Sequence, residues 1–186
     1  MSELSLEDYF GEIATLLQSD ELFTTLHKAK DVIEEMTSNG GRLLMAGNGG
    51  SAGIVTHAAV DFTKQAKVPS MTFNEPGLIT AFSNDYGYEL WVQKAFEFYA
   101  QPHDVLVLVS VSGTSKNLVN AANTARAGGH KVITFTGKNS HNYLRQMGDV
   151  NFWVDSHAYN IVEGLHMIWL TSIVDMIIGK SVYDVS

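Results

Sequence analysis

The chain has 186 residues, a net charge of −8 from twelve Lys and Arg against twenty Asp and Glu, 45% hydrophobic and 17% charged residues, and no cysteine. So much apolar and so little charged sequence excludes intrinsic disorder, and the acidic balance disfavours nucleic acid or an anionic membrane surface as a partner. Without cysteine there are no disulfides, thiolate nucleophiles, iron–sulfur clusters or cysteine-type zinc sites, which fits a reducing cytoplasm.

The first five residues lack the basic and apolar regions of a secretory signal. A first helix is expected to begin at Ser5, with Asp8 completing a weak capping box. A second follows Asp20 and carries Leu22, Leu26, Ala29, Ile33 and Met36 at helical spacing, ending at Asn39-Gly40-Gly41. Strand and helix then alternate. Arg42 to Ala46 reads as a buried strand, followed by a glycine-rich turn and a helix from about Ala52 to Gln65. Ser70 to Phe73 reads as a weaker strand, Tyr88 to Ala100 as a helix, and Val105 to Val109 as a strand covered on both faces. A helix from Ser115 to Arg126, a strand from Val132 to Thr136 and a short helix near His141 to Gln146 come next. A strand from Asn151 to Val154 and a last helix from about Asn160 to Ile178 complete the order. The last helix is interrupted by Glu163, His166 and Asp175, so a soluble chain with no membrane span is expected.

Five strands separated by helices predict an α/β fold, a doubly wound five-stranded parallel sheet of flavodoxin-like type with N-terminal helices. No repeat, linker or composition shift divides the chain, so residues 1–186 read as one domain with 1–40 as an N-terminal helical extension. Ligands of such sheets bind in the loops that follow the strands.

Two loops stand out. Gly47-Asn48-Gly49-Gly50-Ser51-Ala52 joins the first strand to a helix, where small residues admit a ligand to the backbone and the helix start offers free N–H groups. Taken alone it also satisfies the loose dinucleotide fingerprint, with Glu75 as the acidic partner. Ser110-Val111-Ser112-Gly113-Thr114-Ser115 follows the third strand. Its hydroxyls and helix amides form a neutral phosphate cradle, for which a dinucleotide site has no use. Together the loops indicate a phosphorylated small molecule and no nucleotide. Asn84-Asp85-Tyr86-Gly87-Tyr88-Glu89 is a third piece, readable as a helix cap or a ligand contact.

Two titratable pairs carry the remaining chemistry. His57 and Asp61, four apart on one helix, can bind a divalent metal, transfer a proton, or simply share a surface hydrogen bond. Glu163 and His166, three apart in an apolar helix, need partners or a polar site, because burying them bare costs several kcal/mol.

Ala46-Gly47-Asn48-Gly49-Gly50-Ser51-Ala52 with His57, Asn84 to Glu89, Ser110-x-Ser112-Gly113-x-Ser115, Thr136-Gly137-Lys138 and Glu163-x-x-His166 occur in an order that resembles the sugar isomerase (SIS) family. Within it the pattern is similar to the bacterial phosphoheptose isomerases, over most of the chain to about Gly179. The resemblance implies a cytosolic homotetramer that converts a ketose phosphate into an aldose phosphate, such as sedoheptulose 7-phosphate into a heptose 7-phosphate for lipopolysaccharide or capsule heptose. It implies substrate contacts at Asn48, Gly49, Gly50, Ser51, Asp85, Ser110, Val111, Ser112 and Ser115. It also implies zinc as metal at His57, Asp61 and Glu163, with the same three residues catalytic. The family's glutamate, glutamine, second histidine and arginine stand here as Asp61, Glu163, Thr171 and Gln65, and the stretch between Thr63 and Phe73 is shorter.

Two functions follow. An isomerase needs a base near adjacent carbons, an electrophile and a remote phosphate anchor; Asp61 and Glu163 are the expected bases, assisted by His57 and His166. Thr171 in place of a histidine favours the alternative, a non-catalytic sugar-phosphate-binding or protein-scaffolding tetramer. The last helix, apolar on every face from Ile161 through Ile168 to Ile177, predicts burial all round and therefore subunit partners.

Overall fold

The computed structural model describes residues 4–184. Helix α1 (Leu6–Leu16) is capped by the Ser5 hydroxyl, which accepts the Asp8 N–H, and α2 (Asp20–Ser38) by Ser19, which accepts that of Leu22. The five apolar residues of α2 named by the helical spacing are all buried, whereas α1 buries none. Then come β1 (Leu43–Gly47), α3 (Gly50–Lys64), β2 (Ser70–Thr72), α4 (Pro76–Tyr86), α5 (Trp91–Tyr99) and β3 (Val105–Ser110). The chain finishes with α6 (Lys116–Ala127), β4 (Val132–Gly137), β5 (Val150–Val154) and α7 (Tyr159–Ile178).

All pairings are parallel, and the five-stranded order is β2-β1-β3-β4-β5. This is the flavodoxin-like order, whose winding reverses between β1 and β3. Alternate residues of β3 feed two cores. Val105, Val107 and Val109 face α2, α3 and α7, while Leu106 and Leu108 face α5 and α6. Both faces of the central strands are covered, so β1, β3 and β4 are buried at every residue.

Three sequence expectations are corrected. Helix α4 was not anticipated; it starts with Pro76 behind a Glu75 cap, whose carboxyl the N–H groups of Gly77 and Leu78 hold below the usual carboxylate range. Asn84 and Asp85 therefore lie in the last turn of α4 and cap nothing, and α5 begins only at Trp91, after Gly87 turns the chain at φ +86°. Residues 141–146 form successive turns instead of a helix, because the Asn142 side chain takes over backbone groups there, accepting Arg145 N–H and donating to the Asn139 carbonyl. Helix α7 has the length and hydropathy of a membrane span, yet it packs as a core helix on α2, α3, β4 and β5. One stripe stays open: Ile168 is 41% exposed, so the expected burial on every face is not met within one chain.

Candidate functional site

The carboxyl ends of β1 and β3, where the winding reverses, open into a cleft of about 390 Å³. Asn48, Gly49, Gly50, Ser51, Ser110, Val111, Ser112, Ser115, Tyr159 and Glu163 line it. Eight of these ten residues belong to the two loops picked out by sequence. A smaller cavity of about 200 Å³ between α1, α2 and β5 lies away from the switch point and holds none of the loop residues.

The helices that start at the cleft share one property. Gly49, Ser115 and Ala158 stand at the N-cap positions of α3, α6 and α7, and no side chain caps any of the three helices. Ser5, Ser19 and Glu75 cap α1, α2 and α4; α5, uncapped as well, starts outside the cleft lining. An uncapped helix start leaves backbone N–H groups without partners and concentrates the positive end of the helix dipole there. Three such ends on one cleft can offer donors to an anion, and the lining holds no lysine or arginine.

The loops are held by neighbours that the sequence reading did not single out. The Asn74 amide grips Gly47 twice, accepting its N–H at 3.0 Å and donating to its carbonyl at 2.8 Å. Asn48 and the buried Asn117 exchange reciprocal amide bonds of 3.0 and 2.9 Å, and Tyr88 donates to Asn48 Oδ1 at 3.1 Å. An asparagine on the core side of α6, among Leu118, Ala121 and Ala122, was the available signal. In the second loop Ser110 Oγ accepts the Gly113 N–H at 3.2 Å and stands 3.4 Å from Ser115 Oγ. Ser112 Oγ accepts from Thr114, both from its N–H at 3.3 Å and from its hydroxyl at 3.1 Å. Gly113, at φ +64°, has the Asn142 side chain packed where a Cβ would stand.

Glu163 is the only charged side chain lining the cleft among the described residues. A Cβ on Gly50 would lie 2.6 Å from Glu163 Cδ, so glycine at the start of α3 makes room for this carboxylate. His166, one turn further along α7, turns the other way. It is fully buried, its Nε2 lies 3.0 Å from the Thr136 carbonyl, and its Nδ1 has no partner. Burial pushes its pKa down to about 4 against the opposing pull of Thr136, so the ring is neutral and belongs to the core. The expectation that His166 assists the chemistry is therefore dropped.

The sequence-derived trio His57, Asp61 and Glu163 does not converge within one chain. His57 Nε2 and Asp61 Oδ2 are 3.1 Å apart, on α3. Asp61 is eleven residues beyond Gly50, about 16 Å along the helix at 1.5 Å per residue, whereas Glu163 is beside Gly50 itself. No group of three metal-ligating side chains exists among the described residues, so a zinc ion would find two ligands here, not four. Asp85 is exposed on α4, takes an amide bond from Asn84 at 2.9 Å, and does not line the cleft. Thr171 spends its hydroxyl on the Met167 and Ile168 carbonyls of its own helix.

Comparison with known proteins agrees with this geometry. Residues 8–137 match the model of the SIS domain. The chain is 32% identical over 158 residues to the phosphoheptose isomerase of Aliarcobacter butzleri (strain RM4018), covering 82% of this chain and 83% of that one. It is 32% identical over 167 residues to the phosphoheptose isomerase of Burkholderia pseudomallei (strain 1710b), covering 84% and 82%. The structure superposes on phosphoheptose isomerase GmhA from Neisseria gonorrhoeae with a TM-score of 0.84 at 26% identity, covering 92% of this chain and 97% of that one.

Proposed function

The chain belongs to the SIS domain family, and on that premise we propose that it is a phosphosugar isomerase interconverting a ketose phosphate and an aldose phosphate. Sedoheptulose 7-phosphate is the substrate that its relatives' names point to. The observation that carries the reading is the meeting of three uncapped helix starts and the Ser110, Ser112 and Ser115 hydroxyls with a single carboxylate, Glu163. The helix ends and hydroxyls anchor a phosphate dianion, and Glu163 serves as a proton acceptor at the same cleft. Aldose–ketose exchange takes a proton from the hydroxyl-bearing carbon beside the carbonyl, passes through an enediolate, and returns a proton to the former carbonyl carbon, while the hydroxyl proton passes to the former carbonyl oxygen. A carboxylate suits both halves, since it accepts the proton and gives it back. The anchored phosphate holds the carbons in place while this happens.

His57 and Asp61 act, in this reading, on a substrate held by a neighbouring subunit of a homotetramer, where further donors for zinc would also have to be found. Supporting the assembly, α1 buries no side chain of its own, and Phe10, Val60 and Ile168 are exposed at 62%, 55% and 41%. A cytoplasmic role in making heptose for lipopolysaccharide or capsule is part of the same proposal. A non-catalytic sugar-phosphate binder or scaffold is favoured by one observation: Thr171 is tied to its own helix and cannot move a proton. Turnover of a panel of ketose phosphates tests the two. Product formed by the parent and lost in Glu163→Gln, with binding kept, supports the isomerase; binding without turnover of any member leaves the binder.

A further inference from the structure

The cleft presents a charge problem. A phosphate dianion must bind beside Glu163, in a chain of net charge −8, among donors that are all neutral. Hydrogen bonds from helix ends and hydroxyls orient the anion, but repulsion from a carboxylate in the same cleft calls for a cation. Two other cations are already engaged. Lys116, next to Ser115, is paired with Glu89 at 2.9 Å. Arg145 lines the smaller cavity away from the cleft, where it stacks on Trp153 at 4.3 Å and donates to the Ser140 carbonyl at 2.8 Å.

Lys138 differs. It follows the end of β4, and among the described residues its ammonium makes no ion pair; it rests 3.9 Å from the ring centroid of Tyr159. Tyr159 and Glu163 lie four apart on α7 and both line the cleft, so the ammonium stands one aromatic ring from the anion site. The backbone of Lys138 is at φ +56°, a left-handed conformation that a residue with a side chain seldom adopts. The surroundings impose it from both sides. Lys138 N–H donates to the Ser156 carbonyl at 3.0 Å, and Trp153 Nε1 donates to the Lys138 carbonyl at 3.3 Å. Ser156 is itself held by Glu12 of α1 at 2.6 Å. Strain kept in place by so many partners is characteristic of positions that serve a site.

We propose that Lys138 is a substrate-binding residue, the cation that leaves the Tyr159 ring to pair with the phosphate of the sugar phosphate; this rests on the phosphosugar reading above. A half-exposed ammonium–ring contact is weak, and an ammonium–phosphate hydrogen bond is stronger, so the exchange favours the loaded state. Tyr159 is the perch that keeps the cation near the cleft and away from Glu163 until the anion arrives.

The test is calorimetric binding of sedoheptulose 7-phosphate across a range of salt concentrations to the parent, Lys138→Asn, Lys138→Arg and Tyr159→Leu. Asparagine tolerates the left-handed backbone, so Lys138→Asn removes the charge and spares the turn. Affinity should fall about tenfold or more in Lys138→Asn, with a flatter salt dependence, and recover most of that loss in Lys138→Arg. Tyr159→Leu should keep the parental salt dependence. Parental affinity and salt dependence in Lys138→Asn would overturn the assignment while leaving the phosphosugar reading intact. So would equal loss in Lys138→Asn and Lys138→Arg accompanied by lower melting temperatures, which marks a purely structural turn. A parent that binds no ketose phosphate at any salt concentration would overturn both.

Discussion

The two ends of the sheet treat polar groups in opposite ways. At the amino end, Asp104 is 1% exposed and saturated: it accepts the Arg42 N–H at 2.8 Å, Arg42 Nη2 at 2.7 Å and the Gln101 N–H at 2.9 Å. At the carboxyl end, three helices start without a capping side chain around a cleft lined by hydroxyls and one carboxylate. The amino end has a cavity too, of about 580 Å³, but its buried charge is spent on the fold. The difference teaches where to look for a ligand in a chain like this one. Volume does not mark the site; unspent donors do.

The sharpest way to break that contrast is to disarm the amino end. Asp104→Ala leaves the part-exposed Arg42 guanidinium and two backbone N–H groups without their acceptor, and each buried donor left unsatisfied costs about 1–3 kcal/mol. Chemical denaturation should register that loss, while the binding of sedoheptulose 7-phosphate by the remaining folded protein stays at the parental value. A change in affinity as large as the change in stability would mean that the two ends are coupled. The opposite experiment disarms the cleft. Ser110→Ala with Ser115→Ala removes two hydroxyls whose bonds to a charged group are worth about 1.5–3 kcal/mol each. Affinity for the sugar phosphate should drop at least tenfold with the melting temperature almost unmoved; undiminished affinity would put the anion elsewhere.

His166 belongs to neither end and sharpens the comparison through pH. Its pKa falls from the usual 6.5 to about 4 because burial disfavours the charged ring. Between those values the unfolded chain binds a proton that the folded chain refuses, so stability rises with pH across this window and is lost on acidification. The loss from pH 6.5 down to about pH 4 amounts to about 3 kcal/mol at 1.36 kcal/mol per pKa unit. Urea titrations at several pH values should find this slope in the parent and not in His166→Phe, whereas a catalytic histidine would move the pH dependence of turnover instead.

That pair on α7 also marks what the sequence could and could not disclose. The alternation of Val and Leu in β3 required cover on both faces, and the glycine and serine loops after two strands pointed to one cleft, so the sheet and most of the cleft lining were legible. Glu163 and His166 are three residues apart, which separates their directions by about 60° on a helix of 3.6 residues per turn. That angle sends one into the cleft and the other into the core, and spacing alone does not say which. His57 and Asp61 share a face of α3 with Gly50, but a face says nothing of height, and their distance along the axis keeps them from Glu163. Helix α4 was hidden because Glu75, an unusual cap, stands where serine or asparagine would have announced a start. Lys138 stood in the Thr136-Gly137-Lys138 match, but without a role: its positive φ is held by Ser156 and Trp153, distant in sequence, and leaves no local trace.

Asn74 supplies the smallest and most discriminating prediction. Its side chain does not line the cleft, yet it satisfies both backbone groups of Gly47, immediately before Asn48. Asn74→Ala leaves that N–H and that carbonyl to find water or one another. A net bond of this kind is worth about 1 kcal/mol, so KM for a ketose phosphate should rise about fivefold. Asn74→Asp separates the two halves of the grip. The carboxylate still accepts the Gly47 N–H but sets negative charge against the Gly47 carbonyl, and it adds a second anion behind a loop that must receive a dianion. If the loop works by presenting unspent N–H groups, the aspartate variant should bind substrate more weakly than the alanine variant, despite keeping one more hydrogen bond. If instead the loop serves only as a rigid turn, the order reverses, because a half-held turn is stiffer than a free one. Steady-state KM for the three proteins at one pH decides between a site built from electrostatics and a site built from shape.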